Sequence, residues 1–277
     1  MINEFITESV IKRALEEDIS YGDITTDSIV NEFASSEAKL IAKQEGIIAG
    51  IEICEKVFKM LDASSFFMNN IKDGDFVKSG DVIAIVKGRT GALLKAERTA
   101  LNILQRLSGI ATKTRSFCDS VKDYNVRIVD TRKTTPGLRL FEKYAVKVGG
   151  GDNHRYSLSD GVLIKDNHIK AAGGIKEAIT LAKKNVPHTI KIEVETETME
   201  QVKEALEAGA DIIMLDNMTV EQMKNAVKFI NKRALIEASG NMKLELINEV
   251  ASTGVDIISV GALTHSASSL DISMRIY

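Results

Sequence analysis

Four short runs decide the fold: TIKIEVE at 189–195, DIIMLD at 211–216, ALIEAS at 234–239 and VDIISVG at 255–261. Each has an apolar centre with at least one β-branched residue, each ends in polar residues or glycine, and they begin about 22 residues apart. The stretches between them, Met199–Ala208, Thr219–Lys232 and Lys243–Thr253, carry apolar residues at helical spacing and no proline. Strand and helix alternating at this interval predict successive βα units on a parallel sheet. Val126–Asp130 and Val162–Lys165 bring the visible units to six, with Ala145–Val148 a candidate seventh. That number makes a small or incomplete (β/α) barrel. No GxGxxG follows the first run, which disfavours a dinucleotide fold.

The N-terminal part reads differently. Residues 3 to 17 predict an amphipathic helix with Phe5, Val10, Ile11, Ala14 and Leu15 on one face. Residues 36 to 94 break into short apolar runs between glycines, and Lys72–Ile83 alternates at period two, as half-buried antiparallel strands do. The pattern resembles the sandwich of lipoyl and biotinyl carriers, but no modifiable lysine sits on a matching hairpin tip. Ala96–Ala111 predicts a second helix, opened by Glu97-Arg98. An α/β sandwich over 1–112 and a barrel over 113–266 are therefore expected, with the tail 267–277 packing back on the sandwich.

At 277 residues and 44% apolar content, the chain builds a sizeable core without disulfides or a structural metal. A net charge of −3 gives no global pull toward nucleic acid or anionic membranes. Cys54 and Cys118 lack CxxC spacing, and the four histidines form no HExxH. There is no apolar run near the roughly 18 residues of a membrane span. The acidic start MINEFITESV is unlike a basic signal peptide, so a cytoplasmic chain is expected. The charge is unevenly spread: between Arg127 and Lys170 nine Lys or Arg stand against five acids, leaving the remainder at −7. Such a concentration of cations is either a solvated basic face or an anion site.

Chemistry in a parallel barrel gathers at the C-terminal ends of the strands. Here those ends are Asp130-Thr131-Arg132-Lys133, Lys165-Asp166-Asn167-His168, Glu193-Val194-Glu195, Asp216-Asn217, Glu237-Ala238-Ser239-Gly240 and Ser259-Val260-Gly261. Alternation turns Glu195 and Asp216 to the mouth, where two carboxylates on neighbouring strands hold a divalent cation or else pair with a barrel lysine. Glu193 and Glu237 lie deeper and read as structural partners for buried cations. Arg132-Lys133, His154-Arg155 and Lys165 suit an anion with several carboxylate or phosphate groups. Ser239-Gly240-Asn241 and Gly261 offer a hydroxyl and backbone N–H groups for a phosphate.

At these residues the sequence resembles the quinolinate phosphoribosyltransferases, the carboxylating nicotinate-nucleotide pyrophosphorylases. EDISYGDITTDS (17–28), ERTALNILQRLSGIAT (97–112), VDTRKTTPG (129–137) and KVGGGDNHRYSLSDGVLIKDNHI (147–169) carry the likeness. It continues through Ile192–Glu195, Leu215–Asn217, Glu237–Met242 and Gly254–Ser266, in order over nearly the whole chain. The resemblance implies the fold of type II phosphoribosyltransferases, an N-terminal α/β sandwich plus an incomplete α/β barrel. It implies a Mg²⁺-dependent pentosyltransferase joining quinolinate to phosphoribosyl pyrophosphate, with release of pyrophosphate and CO₂. It also implies a homodimer, sometimes a higher oligomer, in which one subunit's sandwich covers the other's barrel mouth.

Carried over, quinolinate would meet Thr131, Arg132, Lys133, His154, Arg155 and Lys165, with Arg98 from the partner subunit. Lys133, Lys165, Glu195 and Asp216 would be catalytic, and the two acids would hold the metal directly or through water. Ser239, Gly240, Asn241 and Gly261 would bind the 5-phosphate. Three rivals stand beside this reading: a nicotinate phosphoribosyltransferase without decarboxylation, a Schiff-base aldolase using Lys165 or Lys133, and a catalytically silent phosphate-binding homologue. Arg106 reads as an interface salt bridge or a site residue, and His168 and His265 as residues behind the first layer of contacts.

Overall fold

The computed structural model describes residues 3–277; Met1 and Ile2, where the expected sandwich begins, lie outside the described residues. The chain forms two compact units, Met1–Arg115 with Thr134–Gly150 and Ser266–Tyr277, and Ser116–Lys133 with Gly151–His265.

The first unit opens with helix α1 (Glu4–Ile19), whose Asn3 side chain accepts from Ile6 N–H at 3.2 Å. It buries Thr7, Val10, Ile11 and Leu15. Phe5, expected on that face, is 86% exposed, because two residues before Thr7 and five before Val10 it points away from the buried stripe. After α2 (Ile24–Ile29) come β1 (Ser35–Ala42), β2 (Gly46–Ile47), α3 (Ile51–Leu61), β3 (Phe66–Asn69), β4 (Phe76–Val77) and β5 (Val82–Arg89). A sheet in the order β12-β1-β5-β3 is antiparallel, and its outer strand β12 is the C-terminal Ile272–Ile276.

The stretch read as continuous strands contains α3, whose Ile51, Cys54, Val57 and Phe58 fall at helical spacing and are buried. Its first turn is capped from a distance: the Asp73 carboxylate accepts from Gly50 and Ile51 N–H at 2.8 and 3.0 Å.

Helix α4 (Thr90–Ser120) is far longer than the predicted 96–111 and passes the expected boundary at 112/113 unbroken. Arg98 therefore lies in its third turn rather than at its opening. Ala96, Ala100, Leu104, Leu107 and Ala111 line its buried side. At Gly109 a Cβ would stand 1.9 Å from the Ser268 carbonyl oxygen, so only glycine lets the C-terminal tail pass.

Ala145–Val148 is not a seventh strand. It ends helix α5 (Arg139–Val148), which buries Phe141, Glu142, Ala145 and Val146 at helical spacing within the first unit.

The second unit carries β6 (Arg127–Val129), β7 (Val162–Ile164), α6 (Asp166–Ala172), α7 (Ile175–Asn185), β8 (Ile192–Thr196), α8 (Met199–Glu207), β9 (Ile212–Asp216), α9 (Val220–Ile230), β10 (Leu235–Ser239), α10 (Ile247–Ala251), β11 (Ile257–Ser259) and α11 (Ala262–His265). All six strands are parallel in the order β6-β11-β10-β9-β8-β7. The first strand thus pairs with the last, as in a barrel, while β6 and β7 do not pair. The segment between them crosses this open side with one isolated bridge, Val129 to Asp152.

Helices α8 and α9 start identically, with Thr198 and Thr219 accepting from Gln201 and Gln222 N–H in reciprocal capping boxes. Helix α10 is shorter than the predicted Lys243–Thr253, since 244–246 form a turn. At the strand starts, Asp211 and Asp256 accept from Ile192 and Ile236 N–H at 2.9 and 2.8 Å and tie each strand to the next unit. These are stabilising devices at the end opposite the site.

Candidate active site at the strand ends

The C-terminal ends of all six parallel strands line one cavity of about 700 Å³ in the second unit. Thr131, Arg132 and Lys133 follow β6, Lys165 follows β7, Glu195 lies on β8 and Asp216 on β9. Ser239, Gly240 and Asn241 end β10, and Gly261 follows β11. His154 and Arg155 enter from the segment between β6 and β7. Of the substrate, catalytic and phosphate residues that the resemblance implies, Arg98 alone lies elsewhere, lining a cavity of the first unit with Arg13 and Arg106.

Register explains the acids. Glu195 pairs with Met214, and Asp216 with Ser239, so both carboxylates occupy the cavity-facing parity near the strand tips. Glu195 is ion-paired with Lys165 Nζ. Asp216 Oδ2 accepts from Asn217 Nδ2 at 2.7 Å. The lysine partner weighed in the sequence thus applies to Glu195 and not to Asp216. An amine nucleophile wants an apolar pocket, so this ion pair disfavours Lys165 as a Schiff-base lysine.

The cations stand close together. Burial, then the charge of Arg132, disfavours the charged form of Arg155, and its Nη1 donates to Gly161 O at 3.1 Å. Lys133 is exposed; its N–H donates to Thr131 Oγ1 at 3.0 Å, and its carbonyl accepts from Thr264 Oγ1 at 2.8 Å. A wall of this kind is relieved of repulsion by a polyanion.

Glu193 and Glu237 have a partner, and it is His154, the residue expected to meet substrate. His154 Nε2 lies 3.1 Å from Glu193 Oε2 and 3.5 Å from Glu237 Oε2. Burial lowers the basicity of the ring, and hydrogen bonds to the two carboxylates outweigh it, raising the pKa to about 10. Arg155 N–H donates to Nδ1 at 2.8 Å, which opposes a second ring proton. The two influences conflict at Nδ1 and agree at Nε2, which carries a proton aimed at the acids. Burial pushes Glu193 up against the lowering hydrogen bond from His154, and the charge of Glu237 adds to burial. These three residues are the group of metal-ligand type found among the described residues, their ligand atoms within 4.8 Å of one another. Their engagement with one another sets them apart from Glu195 and Asp216.

Two backbone features shape the phosphate corner, and one was missed in the sequence. Gly240 has φ +96°, and a Cβ there would stand 2.2 Å from Asn217 Oδ1 and 2.8 Å from Asn217 N. Asn217 itself sits at φ +54° with N–H donating to Ser239 O at 3.1 Å. Strand β9 thus buttresses the loop after β10. Gly240→Ala is expected to raise the KM for the phosphate-bearing substrate about tenfold or more. Steady-state kinetics at saturating acceptor check this, and an unchanged constant would contradict it.

His168 is a helix-capping residue, its Nδ1 accepting from Lys165 N–H at 3.0 Å. His265 borders the cavity. Arg106 is an intrachain partner of Glu142.

The chain is similar to known proteins over nearly its whole length. The model of the quinolinate phosphoribosyl transferase N-terminal domain matches residues 23–108, and that of the C-terminal domain residues 110–275. A probable nicotinate-nucleotide pyrophosphorylase [carboxylating] of Bacillus subtilis (strain 168) is 47% identical, covering 99% of this chain and 95% of its own. A protein of the same description from Synechocystis is 44% identical over 98% of this chain and 92% of its own. The crystal structure of NadC from Streptococcus pyogenes superposes with a TM-score of 0.96 at 44% identity, covering 100% of this chain and 98% of that one. Human nicotinic acid phosphoribosyltransferase, at 12% identity and TM-score 0.67, shares the fold alone.

Proposed function

The chain belongs to the quinolinate phosphoribosyltransferase family, and from that premise we propose that it transfers phosphoribosyl from phosphoribosyl pyrophosphate to quinolinate with decarboxylation. The products are nicotinate mononucleotide, pyrophosphate and CO₂, a step of de novo NAD biosynthesis. One observation carries the reading: a single cavity has clustered cations beside β6 and β7, carboxylates on β8 and β9, and glycine-bearing strand ends at β10 and β11.

Arg132, Lys133 and Arg155, with Lys165 beside them, take the two carboxylates of quinolinate and turn its ring nitrogen toward the sugar. Ser239, Gly240, Asn241 and Gly261 cradle the 5-phosphate. The bond from ribose C1 to pyrophosphate breaks as the bond to nitrogen forms, and positive charge spreads over the sugar, faced by Glu195 and Asp216. Lysine ammonium groups offset charge on the departing pyrophosphate. The alkylated, cationic nitrogen then stabilises the electron pair that stays on C2 as CO₂ leaves, and that pair takes up a proton. In this reading Lys133 or Lys165 delivers it. No covalent enzyme intermediate is required.

Glu195 and Asp216 offer oxygen donors on neighbouring strands facing one cavity, a set that suits Mg²⁺. When bound, the ion supplies further positive charge to the leaving group. The same reading makes the enzyme a cytoplasmic homodimer in which Arg98 completes the partner's site. Arg98→Ala and Lys133→Ala, each inactive alone, are expected to regain up to one working site per heterodimer when mixed. Absence of recovery after verified subunit exchange would remove the shared site.

The reaction itself is tested with paired acceptors. Quinolinate is expected to turn over and nicotinate to be inert. Turnover of nicotinate alone would mean that the cation wall does not read a dicarboxylate.

A further inference from the structure

The open side of the barrel poses a mechanical problem. Arg155 projects from a segment that lies on neither β6 nor β7, and a binding group on an irregular segment is imprecise unless something pins it. Asp130, fully buried at the end of β6, accepts from His154 N–H at 2.9 Å and from Asn153 Nδ2 at 2.6 Å. The His154 ring then crosses the barrel interior to Glu193 on β8 and Glu237 on β10, two strands separated by β9. Its other nitrogen accepts from the backbone N–H of Arg155.

We propose that Glu193 and Glu237 are positioning residues: gripping His154 Nε2 from two strands, they fix residues 153–155 across the barrel's open side and so set Arg155 for the dicarboxylate acceptor. The proposal rests on the reading of this cavity as the quinolinate site.

The cost of the arrangement argues that it serves the site rather than the fold. Glu193 and Glu237 are 3% and 1% exposed, and each keeps one buried oxygen, Oε1, without a hydrogen-bond partner. Burying two carboxylates against one imidazole is expensive, and an apolar pair in the same space commonly leaves a fold as stable or more so. Glu193 does not line the cavity, so its influence on the acceptor runs through His154; Glu237 lines it at 1% exposure, with its Oε2 turned to the same ring nitrogen.

Each acid is replaced by Leu and, separately, by Gln, which keeps the shape and one accepting oxygen. Both Leu variants are expected to raise the quinolinate KM about tenfold or more while the phosphoribosyl pyrophosphate KM stays within about twofold, with the Gln variants between. Comparing two strands matters. A local disturbance of β8 would act through Glu195 and one of β10 through Ser239, and both would reach the other substrate. Constants that move together, or an unmoved quinolinate KM, would overturn the proposal.

Should the Leu chains not fold, the Gln variants decide by the same split. Nitrogen-15 NMR of the histidine rings reads the grip without any substrate. Removing both acids as the Glu193→Gln, Glu237→Gln double variant is expected to shift the His154 ring signals, and an unmoved spectrum would overturn the proposal. This readout separates a failure of the positioning from a failure of the proposed reaction, which wild-type turnover tests.

Discussion

Glu195→Gln is expected to lower kcat about a hundredfold to a thousandfold, the range measured when one preorganised electrostatic group is removed. The Glu195 side chain sits on β8 at the cavity face, 13% exposed, and opposes Lys165, whose side chain is 46% exposed. Gln keeps the shape and the hydrogen-bonding capacity and removes the charge, so the ground-state constants for both substrates should move far less than kcat. The competing account is that Glu195 exists only to neutralise Lys165. That account has its own signature: Glu195→Gln would leave an uncompensated lysine, and adding Lys165→Met would restore activity. If both groups face the reacting centre, the double variant is at least as impaired as Glu195→Gln. Recovery in the double variant would reduce Glu195 to a counter-ion.

The largest effect on stability is expected at Glu142, on α5. Its side chain is fully buried and accepts from Arg106 Nε and Nη2 at 3.1 and 2.8 Å, and from Thr135 N and Oγ1 at 3.0 and 2.8 Å. Arg106 also donates to Ala267 O at 2.9 Å, so one guanidinium joins α4, α5 and the C-terminal tail within the first unit. Replacing both ions by apolar groups costs little in such a site, but removing Glu142 alone takes the acid from the half-buried Arg106 and the acceptor from Thr135. Glu142→Ala is therefore expected to destabilise by about 3–5 kcal/mol, and Glu142→Gln by less. Chemical denaturation followed by circular dichroism measures this. A loss below about 1 kcal/mol would place the pair among ordinary surface ion pairs.

What was legible in the sequence follows from the range of the interactions. The βα units announced themselves because strand and helix periods are local, and the strand-end residues followed from the parity of each run. Thus Glu195, Asp216, Ser239 and Lys165 were found without knowledge of any contact. Helix α5 was misread because AVKV is short and apolar, and its helical face is evident only with Phe141 and Glu142 included. Helix α3 was hidden between glycines, with its cap supplied by Asp73, more than twenty residues on.

Of the grip on His154 only the acids' half was legible: Glu193 and Glu237 read as partners of a buried cation, and nothing pointed to the histidine. Its partners lie on β8 and β10, distant in sequence, and no local pattern distinguishes a histidine that meets two buried acids from one that meets a ligand. Asn217 escaped for a related reason: its left-handed backbone and its contact with Gly240 exist only once β9 and β10 are side by side. The sequence therefore marked which residues face the cavity better than which residues hold them there.

The central claim is that displacement of pyrophosphate and loss of the carboxylate are one reaction at one cavity. Quinolinate labelled at the 2-carboxylate, phosphoribosyl pyrophosphate and Mg²⁺ test it directly when labelled CO₂, pyrophosphate and nicotinate mononucleotide are counted together. Equal amounts of all three are predicted. Pyrophosphate released without labelled CO₂, or no turnover of quinolinate by the folded chain, would contradict it.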